Sequence, residues 1–149
     1  RGDLEKAITF FEKSLLIDNE YPDAFNNLGS AYLGIFMRTR DPKAYQNAVE
    51  NFKKAIELDP NHASAYNGLG GAYLQAGDLD GAIGCLEKAL ELKPDFGNAL
   101  YNLGLAHLEK GDKAKALECF DTYKKNHGQY LSLGERERLE ALIQRCRKD

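Results

Sequence analysis

Apolar and small residues recur along this chain at helical spacing, in blocks that come in pairs. Between residues 63 and 96, Tyr66, Leu69, Gly70 and Tyr73 stand three, one and three positions apart. After a break at Gly77-Asp78 a second set follows, Ala82, Leu86, Ala89 and Leu90. Both sets place their members on one face of an α-helix. The connection between them is too short for anything but a reversal, so the spacing predicts an antiparallel helix pair. Neither helix buries its apolar face alone, and neighbouring copies must stack on both sides.

The same pattern accounts for most of the chain. Residues 97–130 repeat it 34 residues later, with Leu100, Leu103, Gly104 and His107 in the first helix, Gly111-Asp112 at the turn, and Ala116 and Phe120 in the second. Residues 22–62 hold Phe25, Leu28, Gly29 and Tyr32, then Ala48, with seven extra residues between the halves. Seven residues are about two helical turns. Lengthening each helix by one turn keeps both apolar faces in phase and moves the turn to Thr39-Arg40-Asp41. Asp41 is then the N-cap and Pro42 the first helical residue. The added turns carry Ile35, Phe36, Met37 and Tyr45. We read these as packing on one another across the longer hairpin; the alternative is a contact knob for a partner or a second copy.

The two ends differ from the middle. Residues 1–21 match only the second helix of the pattern, Gly2-Asp3, Ala7 and Phe11 aligning with Gly77-Asp78, Ala82 and Leu86. We expect the natural protein to continue upstream. Residues 131–149 begin with Ser132 and Glu135, a capping-box pair. They carry one narrow stripe, Leu139, Leu142, Ile143 and Cys146, on an otherwise charged helix. Such a helix covers the last repeat and leaves a wet outer face. The whole is read as a single domain.

Tyr66-x2-Leu69-Gly70-x2-Tyr73 with Ala82, Leu86 and Pro94 resembles the tetratricopeptide repeat (TPR). Small residues at Gly29, Gly70, Gly104 and at Ala48, Ala82, Ala116 let paired helices approach; Leu28, Leu69 and Leu103 fill the space between them. Pro60 and Pro94 end their units. Phe25, Tyr66 and Leu100 stand where the family has tryptophan, His107 where it has tyrosine, and Asn19 and Gly128 where it has the terminal proline. The resemblance implies an all-α, right-handed α-solenoid of antiparallel helix pairs with a C-terminal capping helix, its first helices lining the concave side.

Composition and charge narrow the function. The 20 Lys and Arg residues and 23 Asp and Glu residues are interspersed, for a net charge of −3, and form no basic stripe. Nucleic-acid binding is therefore not expected. No apolar run is long enough for a membrane span. Cys85 and Cys119 fall in the same slot of successive repeats, at a separation of stacked helices too large for a disulfide. They are read as reduced packing residues, and with no signal segment visible we expect a cytoplasmic location. The three histidines and three cysteines have no ligand spacing, so no metal or cofactor is expected. No Ser/His/Asp or Cys/His set shares a face, so no catalytic residue is assigned and no enzyme is expected. His107 is read as a packed core histidine.

The expected working surface is the face of each first helix turned away from its partner. It holds Asp23, Asn26, Ser30 and Leu33; then Ser64, Asn67, Gly71 and Leu74; then Asn98, Tyr101, Leu105 and Leu108. Within each helix these step by three, four and three. Asn27 and Asn102 sit beside this stripe, and Gly68 interrupts their row. Asparagine both donates and accepts, which suits an extended peptide backbone. Family members that grip a terminal carboxylate do so with lysine or arginine on these faces, and the stripe has neither. We therefore expect a module that binds a protein or peptide segment in the concave groove. The alternatives are a scaffold that self-associates through the N-terminal half repeat or the 35–45 hairpin, and an accessory region of a larger enzyme. The glycines of the central repeat, Gly68, Gly71, Gly81 and Gly84, read as bare spots that weaken its helices.

Overall fold

The computed structural model describes residues 2–17 and 21–148. Asn19 lies outside them. The chain is all-helical over this range: α1 (Gly2–Ile17), α2 (Pro22–Thr39), α3 (Pro42–Leu58), α4 (Ala63–Ala76), α5 (Leu79–Leu92), α6 (Gly97–Lys110), α7 (Lys113–His127) and α8 (Leu133–Arg147), with one 3-10 turn at Gly128–Tyr130. The tightest packing is within the hairpins α2/α3, α4/α5 and α6/α7, and each helix then packs on the next in sequence. In addition α2 touches α4 and α4 touches α6. The second helices α3, α5 and α7 have no comparably extensive contacts with one another among the described residues. First helices that crowd together while second helices splay apart curve the stack, with α2, α4 and α6 on its inner side.

Local chemistry sets the helix ends. Gly77 and Gly111 end α4 and α6 in the left-handed region, at φ 83° and 90°, where an L side chain is strained. Asp78 and Asp112 then cap α5 and α7 by accepting from the amides of Gly81 and Lys115. Lys115 has the Cβ that Gly81 lacks and the cap still forms there, so Gly81 is not required by the turn. The insertion is resolved as the spacing requires. α2 has 18 residues where α4 and α6 have 14, and α3 has 17 where α5 has 14. Asp41 accepts from Lys43 N at 3.0 Å, and Arg40 makes the turn at φ 56°. Phe36 packs on Tyr45 with ring centroids 5.2 Å apart, Arg40 stacks over Phe36, and Ile35 joins the α1/α2 cluster. Met37 stays 52% exposed, outside this packing.

The core runs along the stack and crosses every repeat boundary. Ala48, Phe52, Leu69 and Ala72 form one cluster; Ala82, Leu86, Ala89, Ala99, Leu103 and Ala106 the next; Ala116, Phe120, Leu139, Ile143 and Cys146 the last. The small residues allow close approach: a Cβ on Gly29 would stand 2.9 Å from the Phe52 ring, and one on Gly104 2.6 Å from Phe120. Phe52 also lies against Gly68 of the following repeat, where a Cβ would overlap its ring. Gly68 is thus a packing residue and not a bare surface position. α8 closes the stack. Its Ser132–Glu135 capping box is formed in both directions, and Leu139, Ile143 and Cys146 are buried on α7.

Candidate functional site

The inner face is built from one stripe on each of α2, α4 and α6, and the structure brings much of the expected set together. Gly71 of α4 marks the crossing point. A Cβ there would lie 3.9 Å from Asn102 Nδ2 on α6 and 4.0 Å from Leu33 Cδ2 on α2. Three helices therefore meet around a residue with no side chain. Asn102 Nδ2 donates to Asn67 Oδ1 at 3.4 Å, joining α6 to α4. Asn102 thus meets the stripe across the α4/α6 boundary. Asn27, Ser30, Ser64 and Asn98 line the same face, and Asn26, Asn67, Tyr101 and Leu105 are half-buried on it. Ser30 Oγ donates back to Asn26 O one turn earlier.

The break in the asparagine row has a physical cause on the neighbouring helix. By the 34-residue register Asn102 corresponds to Gly68 and Leu86 to Phe52, and Gly68 lies against the larger Phe52 ring from α3. The Phe52 ring occupies the volume that an asparagine side chain at 68 would need.

Two expected groove residues are elsewhere. Leu74 and Leu108 are each 7% exposed and belong to the core clusters between repeats. They sit in the last turn of their helices, where the stack closes over the inner face. Asp23 remains at the rim, with its Oδ1 3.0 Å from His62 Nε2. His62 caps α4 by accepting from Ala65 N at its Nδ1. An accepting Nδ1 leaves the ring proton on Nε2, so His62 donates to Asp23 and ties the starts of α2 and α4 together. Nothing in the helical periodicity marked His62, because a histidine cap depends on a carboxylate from the repeat before.

At the C-terminal end the groove has a wall that the spacing of the first helices did not contain. A trough of about 380 Å³ runs between α6 and α8, lined by Tyr101, Leu105, Arg138, Ala141, Leu142 and Arg145. A smaller recess of about 220 Å³ adjoins it, between Asn98, Tyr101, Tyr123, Leu131, Glu135 and Arg138. Tyr101 is held from below by Phe120 and Tyr123, at ring distances of 5.9 and 5.5 Å. Glu135 accepts from the Ser132 hydroxyl and amide, which holds its carboxyl below the usual range. Burial, then the nearby Glu135, pushes the Tyr123 phenol up. The stripe itself has neither lysine nor arginine; beyond its end α8 supplies two arginines, Arg138 and Arg145. A larger hollow of about 690 Å³ beside Lys124, Leu131, Arg136 and Leu139 contains none of the stripe residues.

Models of the TPR repeat match residues 1–35, 41–77 and 71–111, and a tetratricopeptide repeat model matches 98–130. The chain belongs to the tetratricopeptide-repeat family. No curated protein sequence matches this TPR chain. Among solved structures, a thermophilic TPR protein of Thermus thermophilus, TTC0263, superposes at a TM-score of 0.83, with 20% identity, over 95% of this chain and 74% of its own. A MamA protein superposes at 0.71 with 28% identity over 97% and 78%. The TPR2B domain of yeast Sti1, solved as a complex with pHsp70, gives 0.68 with 20% identity over 82% and 95%. The fold is the right-handed TPR solenoid with a capping helix. Among the described residues no helix is long and apolar enough to cross a membrane, and the three cysteines are free.

Proposed function

We propose that this TPR chain is a non-catalytic interaction module that binds a protein segment in the groove floored by α2, α4 and α6. The Asn67–Asn102 pair carries the reading. Asn102 donates to Asn67, and among the described residues Asn67 Nδ2 and Asn102 Oδ1 have no other partner. A donor and an acceptor side by side, next to the unsubstituted Gly71, match the alternating groups of an extended backbone. Asn26, Ser64, Asn98 and Tyr101 extend the surface along the stack, with Leu33 against Gly71 and Asp23, Asn27, Ser30 and Leu105 at its margins. Tetratricopeptide repeats mediate protein–protein interaction as a class, which agrees with this reading.

The test is selection of peptides from a random library on the immobilised chain, followed by titration of the selected peptides. The N67A/N102A variant should bind about tenfold more weakly, since two hydrogen bonds of about 0.5–1.5 kcal/mol each are lost. Unchanged affinity in N67A/N102A, or in an N26A/N67A/Y101A variant, removes the groove from the account.

A second reading, self-association through α1, is favoured by one observation. Phe10 is 66% exposed on α1, in a shallow depression with Lys6, Thr9 and Lys13. Sedimentation across concentration decides it: a monomer at every concentration ends this reading, and a dimer lost on Phe10→Ser supports it.

A further inference from the structure

The groove is electrically polar from end to end. Its one stripe carboxylate, Asp23, is at the α2 end and is already engaged by His62. At the other end Arg138 and Arg145 flank the trough whose floor is Tyr101, Leu105 and Leu142. Both arginines are exposed. Among the described residues neither forms an ion pair; the pairs that α8 makes are Glu140 with Lys124 and Arg147 with Asp121. Glu135, the acid at the edge next to Arg138, accepts from Ser132 while the Arg138 charge also helps to lower its pKa, and Arg138 Nε donates to Gly134 O at 3.2 Å.

We propose that this end of the groove selects an acidic segment, seating an apolar side chain on Tyr101, Leu105 and Leu142 and placing side-chain carboxylates on Arg138 and Arg145. The proposal rests on the groove reading above and names the chemistry of its partner. Geometry separates side-chain carboxylates from a chain terminus. Arg138 and Arg145 are seven residues apart on one helix, about 10 Å along its axis. Two acidic side chains flanking an apolar residue match that spacing, whereas a single terminal carboxylate would have to draw both arginines together. Guanidinium groups bind carboxylates through paired N–H donors, which favours them here over a mere positive field.

The random peptide library, with every peptide capped by a C-terminal amide, tests this on the wild-type chain and on R138Q/R145Q. Equal melting temperatures establish that the variant is folded. The wild type should enrich peptides with an apolar residue flanked by Asp or Glu, and the variant should not. Selected peptides should bind R138Q/R145Q about three- to thirty-fold more weakly, as expected for two exposed ion pairs, and the difference should shrink as salt is raised. Enrichment without acidic residues, or equal binding to both chains, overturns the proposal while leaving the groove intact, provided N67A/N102A still weakens those peptides. Enrichment only after the terminal amide is replaced by a free carboxylate overturns it in favour of a chain terminus. Failure of any peptide to enrich on the wild type overturns the groove reading and the proposal together.

Discussion

Gly68 of α4 lies flat against the ring of Phe52 in α3, so closely that a methyl group at 68 has no space. Phe52 is fully buried and is also approached closely by Gly29. Three positions further along α4, a Cβ on Gly71 would meet its nearest neighbours only at ordinary contact distance, 3.9 and 4.0 Å. The two glycines should therefore respond oppositely to the same change. Gly71→Ala should stabilise the chain by about 0.5–1 kcal/mol, the ordinary gain in helix propensity. Gly68→Ala should lose about 1–3 kcal/mol to overpacking, partly offset by that gain. Urea titration of both variants checks this; a shared sign would refute the packing account. If a bound backbone crosses at Gly71, the stabilised Gly71→Ala chain should also bind its selected peptides more weakly.

The pairing of residue sizes across the repeat boundary is itself testable. One repeat on, Leu86 replaces Phe52 and Asn102 replaces Gly68. Phe52→Leu and Gly68→Asn should each destabilise when made alone. Made together they should cost less than the sum, with a coupling of about 0.5–3 kcal/mol. Additive losses in a double-mutant cycle would show that the two side chains do not compete for one volume.

His62 joins two repeats through its two ring nitrogens. His62→Ala removes the cap of α4 and should cost about 1 kcal/mol. His62→Asn keeps an acceptor at the cap and should recover most of that loss. Thermal melts of the two variants distinguish a capping role from simple packing, since a packing role predicts that both fall equally.

His107 stands in the slot that Tyr32 and Tyr73 hold in the other repeats, 5% exposed, and its Nδ1 has no partner among the described residues. Burial pushes its pKa down from the ordinary 6.5. Below pH 6.5 the unfolded chain takes up a proton that the folded chain refuses, so the unfolded state gains. Stability should be flat above pH 6.5, fall as pH drops below it, and level off below the depressed folded value. Glu135 and Glu140, whose pKa values are lowered by Ser132 and Lys124 respectively, act at more acidic pH, below the ordinary 4.5. Urea midpoints between about pH 7.5 and 5.5 should drop for the wild type and change little for His107→Tyr. Identical slopes for both chains would assign the effect elsewhere.

The cysteines give a check on burial. Burial, then nearby carboxylates, pushes the Cys119 thiol up to about 11, and burial raises Cys85 and Cys146 as well. Thiolate is the reactive form, so alkylation at neutral pH should be slow at Cys119 in the folded chain and speed up on unfolding. Rapid labelling under native conditions would show that α5 and α7 open readily.

The helices, their pairing and their ends were legible in the order of residues alone. Period-3.6 spacing, the Gly-Asp turns and the 34-residue register are local properties of the chain, and they decide where a helix stops and which face it buries. They also located the turn in the lengthened hairpin, because only whole turns added to each helix keep both faces in phase. What shares the groove depended on packing in three dimensions. Leu74 and Leu108 lie on the expected stripe by count, yet the curvature of the stack folds them into the core. Gly68 looked bare until Phe52 was placed against it. Arg138 and Arg145 belong to a helix outside the repeat pattern, and the angle at which α8 crosses α7 brings them beside Tyr101. Spacing along one helix reports that helix's faces; it does not report which neighbour will fill the space before them, and that packing decides the character of the surface.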